Sequence, residues 1–215
     1  TKKNSPKSSK KDCNQDYIKY GDSISLENHK IQWNTEGLGG INRSQLETNG
    51  WCNDNGSLGD ENTNLCVRSR TNSIKQTGTD ELESKRGWII ESTSSGSNKI
   101  HVKYGDEIRL KNKYGNDYYL SEVVSSDTNK NVISTKSAET DNMCKWKIVS
   151  SNSTNKTGEF VKNNDNIYIE KLNSDRCLFL DTTEVDSNHF KVMTKTCSGD
   201  DPRIWQIILD QGLIA

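Results

Sequence analysis

The sequence predicts an all-β protein, built as one domain from three repeated units of about four short strands each. Two sequence patterns that each recur three times lead to this prediction, and a low apolar content agrees with it. Hydrophobic residues make up only 30% of the 215 residues. Such a composition suits many short strands that each bury one face, whereas a helical bundle or a doubly wound sheet needs broad apolar stripes or continuous apolar runs.

The first pattern opens each unit. Residues 20–28 read Y-G-D-S-I-S-L-E-N, residues 104–112 read Y-G-D-E-I-R-L-K-N, and residues 163–171 read N-N-D-N-I-Y-I-E-K. In each copy an Asp is followed by two apolar residues that are spaced two apart, as in Ile24 and Leu26. This pattern predicts a turn that leads into a strand with one buried face.

The second pattern closes each unit, as R-G-W-I-I-E-S (86–92), C-K-W-K-I-V-S (144–150) and R-I-W-Q-I-I-L (203–209). We interpret Trp88, Trp146 and Trp205 as core anchors, because a Trp and an Ile two residues apart lie on the same face of a strand. The opening and closing patterns are 42 residues apart in the second and third units, from 104 to 146 and from 163 to 205, but 68 apart in the first, from 20 to 88. The first unit is therefore expected to carry an insertion, at about residues 29–62.

The strand count then selects an architecture. Inner runs such as Y-Y-L (118–120) and L-F-L (178–180) bring each unit to about four strands and the chain to about twelve. That number is typical of a single β-trefoil, and three four-stranded blades are too few for a β-propeller. We expect the domain over 15–215, with units at about 17–92, 100–150 and 160–210 and almost no helix.

The N-terminal residues 1–14 are expected to form a basic, disordered tail. Residues 1–11 contain five lysines and no acidic residue. A weak contact with an anionic surface and a simple solvated tail are both compatible with this composition, and the second is favoured because no aromatic residues are interleaved.

Two known families resemble parts of this sequence. The Y-G-D-x-I-x-L-x-N opening and the W-x-I closure within 102–150 resemble MIR domains. The third unit, with C-L-F-L-D at 177–181 and K-T-C-S-G-D-D-P-R-I-W-Q-I at 195–207, is similar to a ricin B-type lectin repeat. Both resemblances imply a β-trefoil. The MIR resemblance implies a binding or regulatory module whose motif residues are structural.

The ricin-type sugar pocket departs from the family pattern in this chain. The resemblance implies an Asp two residues after the first Cys, where this chain has Phe179, and an Asn-Gln pair before the Trp, where it has Pro202, Arg203 and Ile204. We therefore expect the usual galactose pocket to be absent. Asp181, displaced by two residues along the strand, and Arg203 are the candidate ligand-binding residues of a variant pocket.

Six cysteines, at 13, 52, 66, 144, 177 and 197, predict a disulfide framework. None forms a C-x-x-C pair or lies at zinc-ligand spacing from a His, so an oxidising compartment is favoured, secreted or at the cell surface. The ricin resemblance implies Cys177–Cys197. A Cys52–Cys66 pair would close a short loop in the insertion, which leaves Cys13–Cys144, as one arrangement among the roughly fifteen that six cysteines allow.

The insertion contains the residues that we expect to determine specificity, because loops on a rigid scaffold often carry function. Trp33 and Trp51 would stack on sugar rings or fill a partner's pocket, or else pack the insertion onto the barrel, and both interpretations stay open. The acidic run D-N-G-S-L-G-D-E (54–61) offers Asp54, Asp60 and Glu61 to calcium, but it lacks the ligand spacing of an EF-hand, so a solvated turn is favoured. No metal or cofactor is predicted.

The sequence favours a binding function over an enzymatic one. His29, His101 and His189 are far apart and lie in no catalytic motif, and the net charge of -1 gives no reason to expect nucleic acid. No apolar segment is long enough to span a membrane. We expect an extracellular, non-catalytic recognition module that binds glycan or glycoprotein. The alternative is a protein-interaction or surface-adhesion protein, and a protease inhibitor or enzyme is less favoured.

Overall fold

The protein consists almost entirely of short antiparallel strands. The computed structural model describes residues 16–31, 42–53, 64–71, 84–94, 99–123, 130–135, 142–152, 156–186, 189–197 and 203–210. These contain twelve strands, which are β1 (Ser23–Ile31), β2 (Asn42–Cys52), β3 (Asn64–Thr71), β4 (Trp88–Ser92), β5 (Glu107–Asn112), β6 (Tyr119–Glu122), β7 (Lys130–Thr135), β8 (Trp146–Ser150), β9 (Asn166–Lys171), β10 (Arg176–Asp186), β11 (His189–Thr196) and β12 (Trp205–Leu209). A short 3-10 turn at Asn142–Cys144 precedes β8.

The repeated opening pattern forms equivalent strands. In β5 and β9 the residues alternate strictly between buried and less buried positions, with the same order in both strands. Ile108 and Leu110 of β5, and Ile167 and Ile169 of β9, are the apolar buried residues of this alternation. Each strand therefore contributes one apolar face to a shared core, as the period of two requires.

The strands form one network that closes on itself. Antiparallel pairing can be followed from β10 through β11, β7, β3, β2, β1, β4, β5, β8 and β9 back to β10, a closed circuit of ten strands. β6 pairs with β5 and β7, and β12 pairs with β1 and β9. Closure of this kind gives hydrogen-bond partners to edges that short strands would otherwise expose.

This topology corrects the predicted fold class. The prediction of a single β-trefoil of three four-stranded units is wrong, because the described strands form a closed antiparallel β-barrel in which strands of different repeats pair with one another. The ricin-like, lectin-like architecture that the third repeat implied is wrong for the same reason. The internal repeats themselves are real features of the barrel and recur in its contacts.

The core of the barrel is built around three tryptophans. Trp88, Trp146 and Trp205 are fully buried, and each donates its indole N–H to a backbone carbonyl of an inner strand. The acceptors are Leu46 at 3.2 Å, Leu120 at 2.9 Å and Leu178 at 3.1 Å, respectively. The same contact in all three repeats fixes the closing strand of each repeat against its own inner strand.

The extra residues of the first repeat are divided around β2 and do not form one insertion. Leu46 lies 26 residues after Tyr20, whereas the equivalent Leu120 lies 16 residues after Tyr104. The rest of the extra length follows Leu46 and precedes Trp88. The predicted insertion at 29–62 thus includes β2, a strand that has counterparts in β6 and β10.

Several predictions fall on residues outside the described part of the chain. These are the N-terminal tail at 1–14, Trp33, and the acidic run at 54–61. Within the described residues, no helix has the length and apolar character needed to cross a membrane.

Candidate functional site

An exposed tryptophan stands on the surface near the end of β2. The side chain of Trp51 is 50% exposed, and its ring meets that of Tyr118 in an edge-on contact with a centroid distance of 6.3 Å and an interplanar angle of 68°. Tyr118 itself is buried. Edge-on packing is a favoured aromatic geometry, so Tyr118 supports one side of Trp51 while the rest of the indole faces solvent.

A disulfide and a small apolar cluster hold the end of β2 in place. Cys52, the residue after Trp51, is bonded to Cys66 of β3 with a Cα separation of 5.0 Å. The two cysteines pack with Val123 and Ile133 in a cluster separate from the main core. Trp51 is therefore presented on a cross-linked, packed strand end, and little conformational freedom remains to be lost on binding.

The turn between β5 and β6 ends at Tyr118, whose ring contacts Trp51, so this turn lies close to Trp51. Gly115 packs against Tyr118 so closely that a Cβ there would lie 2.4 Å from Cδ2 of the tyrosine ring. Tyr114 is 44% exposed, and the Lys85 ammonium lies 5.0 Å from its ring centroid. We call Trp51, Tyr114 and Tyr118 the Trp51 platform.

Asn112 joins the platform to the barrel. Its Oδ1 accepts the Tyr114 N–H at 3.0 Å and the Thr48 hydroxyl at 3.2 Å, while its Nδ2 donates to the Lys85 carbonyl at 3.1 Å. Because Thr48 belongs to the same strand as Trp51, this side chain couples β2 to the turn that carries Tyr114.

A charged pair links β5 to this turn. Lys111 donates to Asp117 at 2.5 Å, and this hydrogen bond raises the pKa of the lysine above its ordinary value. The Asp117 side chain is well exposed and its backbone adopts a left-handed conformation with φ of 60°. Exposed aromatic rings beside an exposed carboxylate can stack on the apolar face of a sugar ring and accept hydrogen bonds from its hydroxyl groups.

Asp181 and Arg203, the predicted residues of a variant sugar pocket, lie away from Trp51 in the sheet. Asp181 is on β10, which pairs with β9 and β11, whereas Trp51 is on β2, which pairs with β1 and β3. The Arg203 guanidinium packs against the ring of Phe179 at 5.4 Å, and the Lys195 ammonium lies 4.0 Å from the same ring. Arg203 thus packs on an aromatic side chain of β10.

In every repeat, the residue two positions before the core Trp contacts the equivalent residue of the inner strand. Arg86 donates to Glu47 at 3.1 Å, the Cys144 sulfur lies 2.9 Å from the Ser121 hydroxyl, and Arg203 stacks on Phe179. The partner in each case follows the leucine whose carbonyl accepts the indole N–H. Arg203 therefore occupies a structural position of the repeat.

The predicted disulfides have different outcomes. Cys52–Cys66 and Cys177–Cys197 are both present, with Cα separations of 5.0 and 5.1 Å. Cys144 is buried, and its predicted partner Cys13 lies outside the described residues, so that pair stays a prediction. Two disulfides are consistent with an oxidising compartment.

The three histidines lie in three different surroundings. His29 is 3.7 Å from Glu27, His189 is 3.0 Å from Glu47, and His101 packs against two aromatic rings. Among the side chains that the structure describes, no three His, Cys, Asp or Glu residues gather to hold a metal.

The platform was only partly visible in the sequence. Trp51 stood out because it lies outside the repeated W-x-I closures, but Tyr114 and Tyr118 did not, since aromatic residues in a strand or turn are as often packed as exposed. The G-N-D turn after Tyr114 was the available signal, because such residues mark a tight surface turn.

The fold and the site together define a closed all-β barrel protein with an exposed aromatic surface site. Among solved structures, one similar chain is a Caenorhabditis elegans protein of unknown function, with a TM-score of 0.61, 15% identity, and coverage of 92% of this chain and 98% of that chain. Another is an SDF2-like protein from Arabidopsis thaliana, with a TM-score of 0.57, 14% identity, and coverage of 91% and 99%. These likenesses show a shared fold.

Sequence comparison adds no family. No family model matches the chain, and no curated protein matches it. The descriptions of the two structural neighbours mention neither MIR domains nor ricin-type lectins, and the resemblance to MIR domains stays a prediction.

Proposed function

We propose that this protein is an extracellular, non-catalytic recognition module that binds glycan, free or on a glycoprotein, through the Trp51 platform. One observation carries the proposal. Among the four described tryptophans, Trp88, Trp146 and Trp205 are fully buried, whereas Trp51 is half exposed on a rigid strand end. A large apolar ring exposed in this way has a free energy gain available from a ligand that covers it.

The surroundings of Trp51 favour a sugar over a purely apolar ligand. Tyr114 supplies a second exposed ring, and Asp117 and Lys85 place a carboxylate and an ammonium group at the same turn. A pyranose has one apolar face for an aromatic ring and hydroxyl groups on its edge for charged partners. The platform offers both kinds of contact, and its disulfide-linked base limits the entropy cost of binding.

Secretion and the absence of catalysis are parts of the same proposal. The two disulfides support an oxidising environment, which is typical of secreted and cell-surface proteins. The separate surroundings of His29, His101 and His189 support a binding role, because acid–base catalysis requires groups that converge on one substrate.

A glycan array, followed by titration of the best ligand, tests the proposal. We expect Trp51→Ala to lower the affinity by about tenfold or more, because truncating a central aromatic contact costs roughly 2 kcal/mol. Trp51→Phe should keep part of the affinity, since a smaller ring still stacks. Phe160→Ala is the matched control, because Phe160 is a similarly exposed aromatic residue (41%) on a different part of the barrel.

Two results would reject glycan recognition at this site. One is a folded wild-type protein that binds no sugar across a diverse array. The other is a Trp51→Ala variant that binds the best glycan as well as the wild type. If a partner from a deglycosylated surface fraction is retained and Trp51→Ala loses it, the protein-interaction alternative replaces the glycan proposal.

A further inference from the structure

Three aromatic rings meet at the points where the opening strands of the three repeats begin. The ring centroids of Tyr17 and Phe160 are 5.3 Å apart, those of His101 and Phe160 are 5.3 Å apart, and those of Tyr17 and His101 are 5.9 Å apart. Each residue lies three positions before the Y-G-D or N-N-D turn of its repeat. The triad is therefore one position of the repeat, occupied by an aromatic ring in all three copies.

A lysine accompanies each aromatic ring. Isolated antiparallel bridges place Tyr17 opposite Lys162, His101 opposite Lys19, and Phe160 opposite Lys103. Directly opposed residues of antiparallel segments have their side chains on the same face. We call these six residues the threefold face.

The alternation of the chain separates this face from the core. The residue between the aromatic ring and the lysine in each repeat is Ile18, Val102 or Val161, and all three are fully buried. Because successive side chains in extended backbone point to opposite sides, the aromatic rings and the lysines lie on the outer side. Phe160 is 41% exposed, and the Lys103 ammonium lies 5.0 Å from its ring centroid.

The nearby turn carboxylates already accept hydrogen bonds from the backbone. Asp22 accepts the N–H of Lys19 at 2.7 Å, and Asp106 accepts the N–H of Lys103 at 2.9 Å. Asp165 accepts the N–H of Lys162 at 2.8 Å. Asp16 and Glu159 are exposed and precede Tyr17 and Phe160 by one position, so two further carboxylates adjoin the three lysines of the threefold face.

This arrangement favours a ligand with negative charge and apolar groups. Three ammonium groups attract anions, and the aromatic rings offer apolar surface that gains free energy when it is covered. A neutral sugar offers the lysines only uncharged hydroxyl acceptors, which form weaker hydrogen bonds with ammonium groups than carboxylates do. A sulfated glycan would satisfy the lysines but would supply little apolar surface for Phe160.

We propose that the threefold face is a second binding site, which takes an acidic peptide segment of a partner protein that carries aliphatic or aromatic side chains. The apolar side chain packs on the aromatic triad, and flanking carboxylates pair with Lys19, Lys103 and Lys162. This site is independent of the Trp51 platform, because it is formed by the segments that precede β1, β5 and β9.

A binding assay with defined peptides tests the site. The probe is a fluorescein-labelled peptide of alternating glutamate and leucine, whose binding to the full chain is followed by fluorescence anisotropy at low ionic strength. We expect Phe160→Ser to weaken binding about tenfold or more. The double variant Lys103→Gln with Lys162→Gln should weaken it about three- to tenfold, and this difference should shrink as salt screens the charges.

Matched variants make the result specific. Lys191→Gln removes a lysine from β11, and Trp51→Ala removes the other proposed site. Both should leave peptide affinity unchanged. Phe160 and the lysines are on the surface, so far-ultraviolet circular dichroism should show that all variants are folded. Loss of glycan binding in Trp51→Ala and loss of peptide binding in Phe160→Ser are separate outcomes, so either proposal can fail without the other.

Four outcomes would overturn the second site. A peptide with glutamine in place of glutamate could bind equally well, which would show that charge is not used. A peptide with serine in place of leucine could bind equally well, which would show that the aromatic triad is not used. Heparin could bind the face while the acidic peptide does not, which would make the occupant a sulfated glycan. Finally, Lys191→Gln could weaken peptide binding as much as the double lysine variant does.

Discussion

The Tyr104 hydroxyl donates a hydrogen bond to the carboxylate of Asp165 over 2.7 Å and thereby ties the second repeat to the third. Tyr20 makes the same bond to Asp106, at 2.8 Å, between the first and second repeats. The pKa of both tyrosines is raised above the ordinary range. Burial is the largest cause, and the hydrogen bond to the carboxylate is the second. The third repeat has Asn163 at this position, and its side chain accepts a backbone N–H of β12 instead. Two of the three joints between repeats therefore contain a tyrosine–aspartate bond.

Protonation of the Asp106 carboxylate should make the barrel less stable in acid. Burial raises its pKa, but hydrogen bonds from Lys99, from the Lys103 N–H and from Tyr20 outweigh burial and hold the pKa of Asp106 below its ordinary value. Its stabilising effect is therefore complete above the unfolded-state pKa of about 3.9 and is lost as the pH falls from there through the folded-state pKa. We expect Asp106→Asn to lower the free energy of unfolding near neutral pH and to reduce its fall between about pH 5 and pH 2, measured with urea. Parallel pH curves for the variant and the wild type would contradict this role.

The buried and exposed tryptophans should respond differently to the same substitution. Trp88→Phe leaves a cavity in the core and deprives the Leu46 carbonyl of its indole donor. We expect a loss of about 2 to 4 kcal/mol in the free energy of unfolding. Trp51→Phe, at an exposed position, should change it by less than about 0.5 kcal/mol. Chemical denaturation of both variants measures this difference, and equal losses would show that Trp51 is a packing residue.

Glu47 is a buried acidic residue that pairs with Arg86 and lies beside His189. Its carboxylate accepts from Arg86 Nε at 3.1 Å and lies 3.0 Å from His189 Nε2. Arg86→Met should destabilise the protein by about 3 kcal/mol, because it leaves a buried charge without its strongest partner. Adding Glu47→Gln should restore most of this loss. A double variant that is no more stable than Arg86→Met, by thermal or urea unfolding, would show that charge compensation is not the cause.

Gly115 should affect the binding site through Tyr118. A methyl group at this position would overlap the Tyr118 ring, so Gly115→Ala must displace the ring that supports Trp51. We expect a loss of about 1 to 3 kcal/mol in stability from overpacking, together with weaker glycan binding. The double variant Gly115→Ala with Tyr118→Leu should recover stability without recovering the affinity. Unchanged glycan affinity in Gly115→Ala would mean that the position of Tyr118 does not matter for recognition.

The sequence allowed the repeated strands and the buried tryptophans to be anticipated, because both depend on local alternation of apolar residues. The D-x-I-x-L pattern predicts which residues of β5 face the core, and the W-x-I pattern predicts the same for β8. The way in which the strands close into one barrel was not anticipated. Pairings such as β3 with β7 and β11 with β7 join segments far apart in the chain, and they depend on packing that short motifs do not encode.

Of the proposed Trp51 platform, the sequence indicated only Trp51. Ligand binding by Arg203 stays a prediction. Its packing against Phe179 was not anticipated, because the equivalent positions hold different residue types, Arg86 and Cys144. The threefold face was missed because Tyr17, His101 and Phe160 share a position without sharing a residue type. Superposing the three repeats at the Asp of each turn would have aligned them.

Protection of Trp51 from a collisional quencher tests the central claim most directly. In a Trp33→Phe background, acrylamide quenching of the intrinsic fluorescence is measured with and without the best glycan from the array, and Trp88, Trp146 and Trp205 contribute a buried, poorly quenched background. We expect the glycan to reduce the quenching constant in this background and to have no effect once Trp51→Ala is added. Saturating glycan that leaves the quenching of Trp51 unchanged would contradict the account, because the ligand would then bind elsewhere.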